Sequence, residues 1–188
     1  MDKYPDFNTL AANEILDQDY RVRVQDLGSG MTVMAPHGGR IEPKTSRIAG
    51  LIAGDRFNLY CFEGIKETGN RDLHITSHRF DEPLALDLIS RSHIIVTIHA
   101  CKDKDKVVYV GGLLSDLASW VEKELNRAGI AVAKKDRFPG IHPDNICNRG
   151  KERKGVQLEI SRGIRDDERA LEQMARAVQS ALKMVQPG

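Results

Sequence analysis

The segment MAPHGGRIEP (34–43) combines residue types that could bind a metal ion. Within it, His37, two glycines and Glu42 follow closely on the apolar run 31–34. A turn requires glycine but has no need of histidine or glutamate, whereas imidazole nitrogen and carboxylate oxygen are both ligands of zinc. The two glycines allow a tight turn, so both side chains could fold back onto one ion. The segment is therefore a candidate metal site.

Two further polar residues stand at or in apolar runs elsewhere in the chain. His99 follows the run IIVTI (94–98), and Glu159 lies inside the run VQLEI (156–160). Burying an unpaired carboxylate costs several kcal/mol, so Glu159 needs a partner or a cavity. Catalytic zinc sites typically use three protein ligands and keep one position for water. His99 would be the third ligand, and Glu159 could act as general base on a water that the metal activates.

Each of these four residues also has a structural interpretation. A histidine at the end of a strand is often a hydrogen-bonded core or surface residue, and a Gly-Gly pair can simply form a turn. The four residues together are harder to explain in this way than any one alone. Their spacing by itself leaves both interpretations open.

Strand-like and helix-like segments alternate along the chain. Short apolar and β-branched runs predict strands at 21–24, 31–34, 58–62, 73–76, 94–98, 107–110 and 156–160. Helical spacing predicts helices at 45–53, 83–90, 115–128 and 166–185. This order is typical of an α/β fold with a central, mostly parallel or mixed β-sheet flanked by helices, here in a single domain spanning residues 1–188. Ligands in such folds gather at the carboxyl ends of strands, which is where His37 and His99 stand.

Composition excludes several classes of protein. Apolar residues make up 40% and charged residues 29% of the chain, and the net charge of +1 provides no global field to hold a nucleic acid. No apolar run reaches the roughly 18 residues of a membrane span, and the N-terminal segment MDKYPDFNTL lacks the apolar core of a secretory signal. We therefore expect synthesis as a cytoplasmic monomer with no membrane or nucleic-acid partner, although release by cell lysis would leave no mark in the sequence. The three cysteines are far apart and odd in number, so we expect buried, reduced thiols.

Several motifs in a fixed order resemble the poly-γ-glutamate hydrolase family, known from bacteriophages that attack capsulated bacteria and from bacterial relatives. The matching segments, which cover most of residues 33–162, are APHGGRIEPKT (35–45), LYCFEGIKETGNRDLHITSHRFDEP (59–83), VTIHACKD (96–103), VYVGGL (108–113), HPDNICNRG (142–150) and GVQLEISR (155–162). The resemblance implies a compact α/β fold like that of zinc carboxypeptidases, zinc as cofactor, and hydrolysis of γ-glutamyl amide bonds. Carried over by residue, it implies that His37, Glu42 and His99 bind zinc. Glu159 would be the general acid and base.

One departure from the wider pattern concerns spacing. Zinc carboxypeptidases place their first histidine and glutamate more closely together, whereas four residues separate His37 and Glu42 here. The longer spacing matches the phage family and makes the more distant analogy less secure.

A poly-γ-glutamate substrate would carry a free α-carboxylate on every residue, and arginine binds carboxylates bidentately. Arg71 and Arg149 are the preferred candidates, because each follows an asparagine, as in zinc carboxypeptidases and related deacylases. Arg162 is a weaker candidate. His74 could contact substrate or support a metal ligand, and Asn148 could donate hydrogen bonds to the substrate. Each of these residues could equally have a structural role.

Three functions stay open at this point. The leading hypothesis is a zinc hydrolase that cleaves within the poly-γ-glutamate polymer. A zinc deacylase or peptidase acting on a smaller acidic amide would use the same metal and base with a more closed groove. A non-catalytic protein that binds an anionic polymer is the third hypothesis, and the intact set of ligands and base weighs against it. Imidazole–carboxylate sites accept several divalent ions, so the residues do not fix the metal.

Overall fold

A mixed β-sheet forms the centre of the computed structural model, which describes residues 2–134 and 139–185. The strands among these residues are β1 (Tyr20–Gln25), β2 (Met31–Gly39), β3 (Asn58–Gly64), β4 (Ile94–Ala100), β5 (Val107–Gly112), β6 (Ala131–Ala133) and β7 (Val156–Ile160). They lie in the order β1-β3-β2-β4-β7-β5-β6. The four central strands β3, β2, β4 and β7 are parallel, whereas β1 and β5 run antiparallel to β3 and β7.

Helices cover both faces of this sheet. They are α1 (Phe7–Ala11), α2 (Thr45–Ala53), α3 (Pro83–Ser90), α4 (Ser115–Arg127), α5 (Arg162–Asp166) and α6 (Glu168–Lys183). Successive side chains of a strand point to opposite faces, so Val33 is buried with α2, α4 and α6 while Met34 is buried with α1 and α3. The predicted α/β fold with a mixed sheet and flanking helices is confirmed. The assignment of residues 1–188 to one domain stays a prediction.

Two differences from the predicted elements bear on the candidate site. Strand β2 continues beyond the predicted 31–34 as far as Gly39, so it carries His37 itself. The segment 73–76, predicted as a strand, is not one. A 3₁₀ turn (Asn70–Leu73) includes its first residue. The backbone N–H groups of His74 and Thr76 then donate to the Arg71 carbonyl and to the Asp2 side chain rather than to a neighbouring strand.

The predicted helix 166–185 corresponds to α6, which begins at Glu168 and ends at Lys183. The side chain of Asp167 accepts a hydrogen bond from Ala170 N and caps its start. Helix α5 lies directly before this cap and was not predicted. The short elements α1 and β6 were not predicted either.

Burial of the cysteines agrees with the expectation from their number and spacing. Cys61, Cys101 and Cys147 are all buried. Burial raises the pKa of the Cys61 and Cys147 thiols to about 12, so these two side chains are protonated near neutral pH and poor nucleophiles.

A separate expectation concerned membranes: within residues 2–134 and 139–185, no helix is both long and apolar enough to cross a bilayer.

Candidate metal centre

Parallel strands bring the four candidate residues to one edge of the sheet. β2 and β4 are parallel neighbours, so His37 and His99 lie near the same, carboxyl edge. β4 and β7 are also parallel, and their register pairs His99 directly with Glu159. Glu42 lies in the turn between β2 and α2. Sequence-distant residues therefore converge at the edge where α/β sheets usually bind ligands.

The three predicted ligands lie at separations that suit a zinc ion. His37 Nδ1 is 3.2 Å from His99 Nδ1 and 3.6 Å from Glu42 Oε1, and His99 Nδ1 is 3.7 Å from Glu42 Oε2. A tetrahedral zinc with bonds of about 2.0–2.1 Å separates its ligand atoms by about 3.3 Å. Among the described residues this is the one group of histidines, cysteines and carboxylates close enough to hold a metal.

Hydrogen bonds elsewhere on these side chains orient them toward one another. His37 Nε2 lies 2.8 Å from the Ile75 carbonyl oxygen and donates to it, which leaves the Nδ1 lone pair for a metal. The Ala100 N–H donates to Glu42 Oε2 at 2.9 Å. His99 Nε2 is buried without a hydrogen-bond partner among the described residues. The donor set of two Nδ1 atoms and one carboxylate fits zinc.

The glycines after His37 allow β2 to approach β3 closely while the chain turns. The register between the two strands shifts between Ala35 and Gly38, and Gly39 has a φ of +63°. A Cβ at Gly39 would lie 2.4 Å from the Gly64 carbonyl oxygen, so the position accepts no side chain without movement. Beyond the glycines, Glu42 N donates to the His37 carbonyl at 2.9 Å and closes the turn. This geometry brings the His37 and Glu42 side chains together.

Charges within the cluster favour the ionised, metal-binding form of Glu42. Burial opposes its ionisation, but the nearby polar and charged imidazole groups of His37 and His99 outweigh burial and hold the pKa of Glu42 well below its ordinary value. Burial also opposes protonation of His99, yet the nearby carboxylate of Glu42 raises the pKa of His99 overall, with a smaller contribution from the charge of Glu159. Metal binding at this cluster therefore competes with protons for the histidines.

The cluster opens into a cavity of about 580 Å³. Its walls contain the three predicted ligands, the predicted base Glu159, and two of the predicted substrate-binding residues, Arg71 and His74. Titratable residues that were not predicted to bind substrate also line it, namely His78, Lys102 and His142 together with Cys101 and the acidic Asp103. The structure thus brings six of the eight predicted site residues to one cavity.

The other two, Asn148 and Arg149, are not among the described residues that line this cavity. Asn148 is fully buried, and its amide group donates to the carbonyls of Gly140 and His142 at 2.8 and 3.0 Å. Arg149 donates to the Phe80 carbonyl at 2.7 Å. These hydrogen bonds connect loop segments to one another. They give Asn148 and Arg149 the structural role that was the alternative to substrate binding. Arg162, the weaker candidate, forms an exposed ion pair with Asp166.

Asp2 holds His74 against the candidate ligand His37. Its Oδ1 atom lies 2.8 Å from His74 Nδ1, and its Oδ2 atom accepts hydrogen bonds from Thr76 and Arg79. The rings of His74 and His37 are tilted by 31° to each other, with centroids 4.0 Å apart. Burial and the charge of His37 lower the pKa of His74 to about 4, so the ring is neutral near pH 7 and donates its Nδ1–H to Asp2. Sequence reasoning missed Asp2, because no local pattern signals a contact across 72 positions.

Comparison with known sequences identifies relatives over almost the whole chain. Residues 4–182 match the profile of the family described as poly-gamma-glutamate hydrolase. UPF0714 protein YmaC of Bacillus subtilis (strain 168) is 37% identical over 169 residues, which cover 88% of this chain and 71% of YmaC. UPF0714 protein YndL of the same organism is 37% identical over 167 residues, which cover 87% of this chain and 66% of YndL. The chain is therefore shorter than both relatives.

Solved structures resemble the whole fold. A bacteriophage poly-gamma-glutamate hydrolase superposes with a TM-score of 0.93 at 33% identity, over 98% of each chain. The zinc-free, apo structure of YNDL superposes with a TM-score of 0.91 at 31% identity, over 97% of this chain and 98% of that one. The architecture described above is thus shared with these two proteins.

Proposed function

The chain belongs to the poly-γ-glutamate hydrolase family, and we propose that it is a zinc-dependent hydrolase of γ-glutamyl amide bonds in poly-γ-glutamate. The observation that carries the proposal is the cluster of His37, Glu42 and His99 beside Glu159 on one cavity. The description of one similar structure as zinc-free supports zinc over other divalent ions. The bond cleaved joins the γ-carboxyl group of one glutamate to the amino group of the next.

His37 and His99 would hold the ion through Nδ1, and Glu42 through its carboxylate. Their side-chain separations support this role, and the hydrogen bonds to Ile75 and Ala100 keep the donor atoms in place. Bound zinc supplies a Lewis acid that polarises an amide carbonyl and makes a nearby water more acidic.

Glu159 would move the proton in the proposed reaction. The residue is only 6% exposed, and it lines the cavity next to His99 on the adjacent strand. The carboxylate accepts a proton from the water that attacks the amide carbon and passes it to the leaving nitrogen. The carbon–nitrogen bond breaks, which yields a new γ-carboxylate on one fragment and a free amino group on the other.

Arg71 and His74 would bind the substrate from the cavity wall. Arg71 lies in the 3₁₀ turn Asn70–Leu73, and its guanidinium group is suited to a free α-carboxylate of the polymer. His74 is neutral near pH 7 and is fixed by Asp2, so it could offer a polar contact to the substrate without carrying a charge. Neither Asn148 nor Arg149 is given a substrate role in this proposal.

The proposal is tested by the size of the products. Purified protein is incubated with high-molecular-weight poly-γ-glutamate, with and without a chelator, and the size distribution is followed by gel filtration. A chelator-sensitive fall to short oligomers is the expected result. An unchanged polymer, together with hydrolysis of short N-acylglutamates, would favour the deacylase hypothesis. Polymer retained on the protein without cleavage of either substrate would favour the binding protein.

A further inference from the structure

Arg165 is a buried cation whose guanidinium group contacts backbone carbonyls. It lies on α5, and only 8% of the residue is exposed. Its Nε donates to the Ile160 carbonyl at 3.2 Å, and its two terminal nitrogens donate to the carbonyls of Pro43 and Cys101 at 2.9 and 2.8 Å. Burying a guanidinium is costly unless its donors are paired, so these three bonds are needed where Arg165 stands.

Each of the three carbonyls belongs to a segment that carries a residue of the candidate centre. Pro43 directly follows Glu42, and Ile160 directly follows Glu159. Cys101 comes two positions after His99, and the amide between them, Ala100 N, donates to Glu42 Oε2. One side chain therefore ties together the turn after β2 and the ends of β4 and β7.

Two contacts fix the position of Arg165 itself. The Lys44 ammonium group, in the turn that follows β2, donates to the Arg165 carbonyl at 2.5 Å. This turn and α5 are therefore joined by hydrogen bonds in both directions. The Ser161 hydroxyl caps α5 by accepting from Ile164 N, and it also accepts from Val107 N on β5. The helix that carries Arg165 is thereby fixed to the sheet at its first turn.

We propose that Arg165 is a positioning residue that holds the metal ligands Glu42 and His99 and the general base Glu159 in register. The inference rests on the proposed function, because it assumes that Glu42 and His99 bind zinc together with His37. Arginine suits the task because its planar fork donates in three directions, whereas lysine places a single ammonium group and cannot reach three carbonyls at once. Residues that orient metal ligands typically contribute about 10- to 100-fold to metal affinity.

The test compares zinc affinity in Arg165→Lys and Arg165→Met with that of the wild-type protein. Metal-free proteins are titrated at room temperature against a chromophoric zinc chelator, and circular dichroism first establishes that each variant is folded. Both variants are expected to bind zinc about 10- to 100-fold more weakly and to show a shifted visible spectrum when loaded with Co²⁺. Arg91→Lys is the matched control, because Arg91 is half-exposed, pairs with Asp26 and Asp87, and is expected to leave zinc affinity unchanged.

Each remaining outcome has one meaning. A folded Arg165→Lys protein with wild-type zinc affinity and an unchanged Co²⁺ spectrum would overturn the inference. If both variants are unfolded without metal, Arg165 serves the whole fold, and the positioning role is overturned as well. If the wild-type protein itself binds no zinc, the proposed function fails, and the inference about Arg165 fails with it. Restoration of zinc affinity in a folded Arg165→Ala protein by millimolar guanidinium would support the inference further.

Discussion

At the residue scale, Glu42 is the shared partner of two histidines. Its carboxylate oxygens lie 3.6 Å from His37 Nδ1 and 3.7 Å from His99 Nδ1, beyond ordinary hydrogen-bond length for both. A zinc ion bound to all three would replace these long contacts with three short metal–ligand bonds. The three side chains thus make a better metal centre than a hydrogen-bonded structural cluster.

Replacement of His99 by alanine should remove zinc without unfolding the protein. The change deletes one of three ligands, and we expect loss of stoichiometric zinc and of polymer hydrolysis with a preserved circular dichroism spectrum. Zinc content by atomic emission is the measurement. His93→Ala is the matched control, since His93 pairs with Glu152 outside the centre. Full activity of the His99→Ala protein would refute the ligand assignment.

Replacement of Glu159 by glutamine should separate metal binding from catalysis. Glutamine preserves the shape of the side chain but cannot accept the proton, and a general base contributes typically about 10²- to 10⁴-fold to the rate. We expect the variant to keep one zinc per chain and to lose hydrolysis by that factor. If zinc is lost with activity, Glu159 is a ligand rather than the base.

A residue of this site could be predicted when its neighbours in the sequence indicated its role. His37 and Glu42 share one short segment, and the sequence pattern alone suggested their pairing. His99 and Glu159 stand at or in apolar runs, where the strand-end rule and the family resemblance indicated them. Asp2 contacts the site only through the folded chain, and nothing near it in sequence predicts the contact.

At the element scale, the end of β2 determines the shape of the centre. The register shift against β3, the positive φ of Gly39 and the Glu42–His37 hydrogen bond together turn the chain within a few residues. The sequence predicted the turn from its glycines, but not that β2 would continue to Gly39, because glycine and proline normally weaken a strand. Close packing on β3 overrides that preference.

Replacement of Gly39 by alanine should destabilise the fold and weaken zinc binding together. A left-handed backbone costs a residue with a side chain roughly 1–2 kcal/mol, and the new Cβ would also collide with the Gly64 carbonyl, 2.4 Å away. We expect a loss of free energy of unfolding beyond the left-handed cost alone, measured by urea denaturation of the metal-free protein.

Gly129→Ala is the matched control for this prediction. Gly129 has a φ of +71°, but a Cβ there would meet no described atom within 4 Å. Its substitution should cost only the left-handed strain and leave zinc affinity unchanged. Equal losses of stability in the two variants would show that β3 does not crowd Gly39.

At the scale of the whole molecule, two apolar clusters on opposite faces of one sheet hold the site-bearing strands in place. Val33 and Val96 belong to the cluster under α2, α4 and α6, whereas Met34 and Ile95 belong to the other cluster. The strands that carry the centre are therefore packed on both sides, as expected for central parallel strands. Alternation of strands and helices predicted this architecture, while the short helix α5 and the order of the strands in the sheet could be seen only in the folded chain.

Unfolding should be a single cooperative transition if the chain is one domain. Trp120, the one tryptophan of the sequence, reports on α4, while circular dichroism reports on all helices. We expect the two signals to coincide in urea, and zinc at a hundredfold excess over its dissociation constant to add about 2.7 kcal/mol to the free energy of unfolding. Two separated transitions would contradict the single-domain prediction.

The most direct test of the central claim is a zinc titration of hydrolysis. Metal-free protein is mixed with poly-γ-glutamate, zinc is added in steps below and above one equivalent per chain, and the initial rate of chain shortening is measured. We expect negligible hydrolysis without metal and a rate that rises linearly to a plateau at one zinc per chain. Full hydrolysis by the metal-free protein, or none by protein that has bound one zinc, would contradict it.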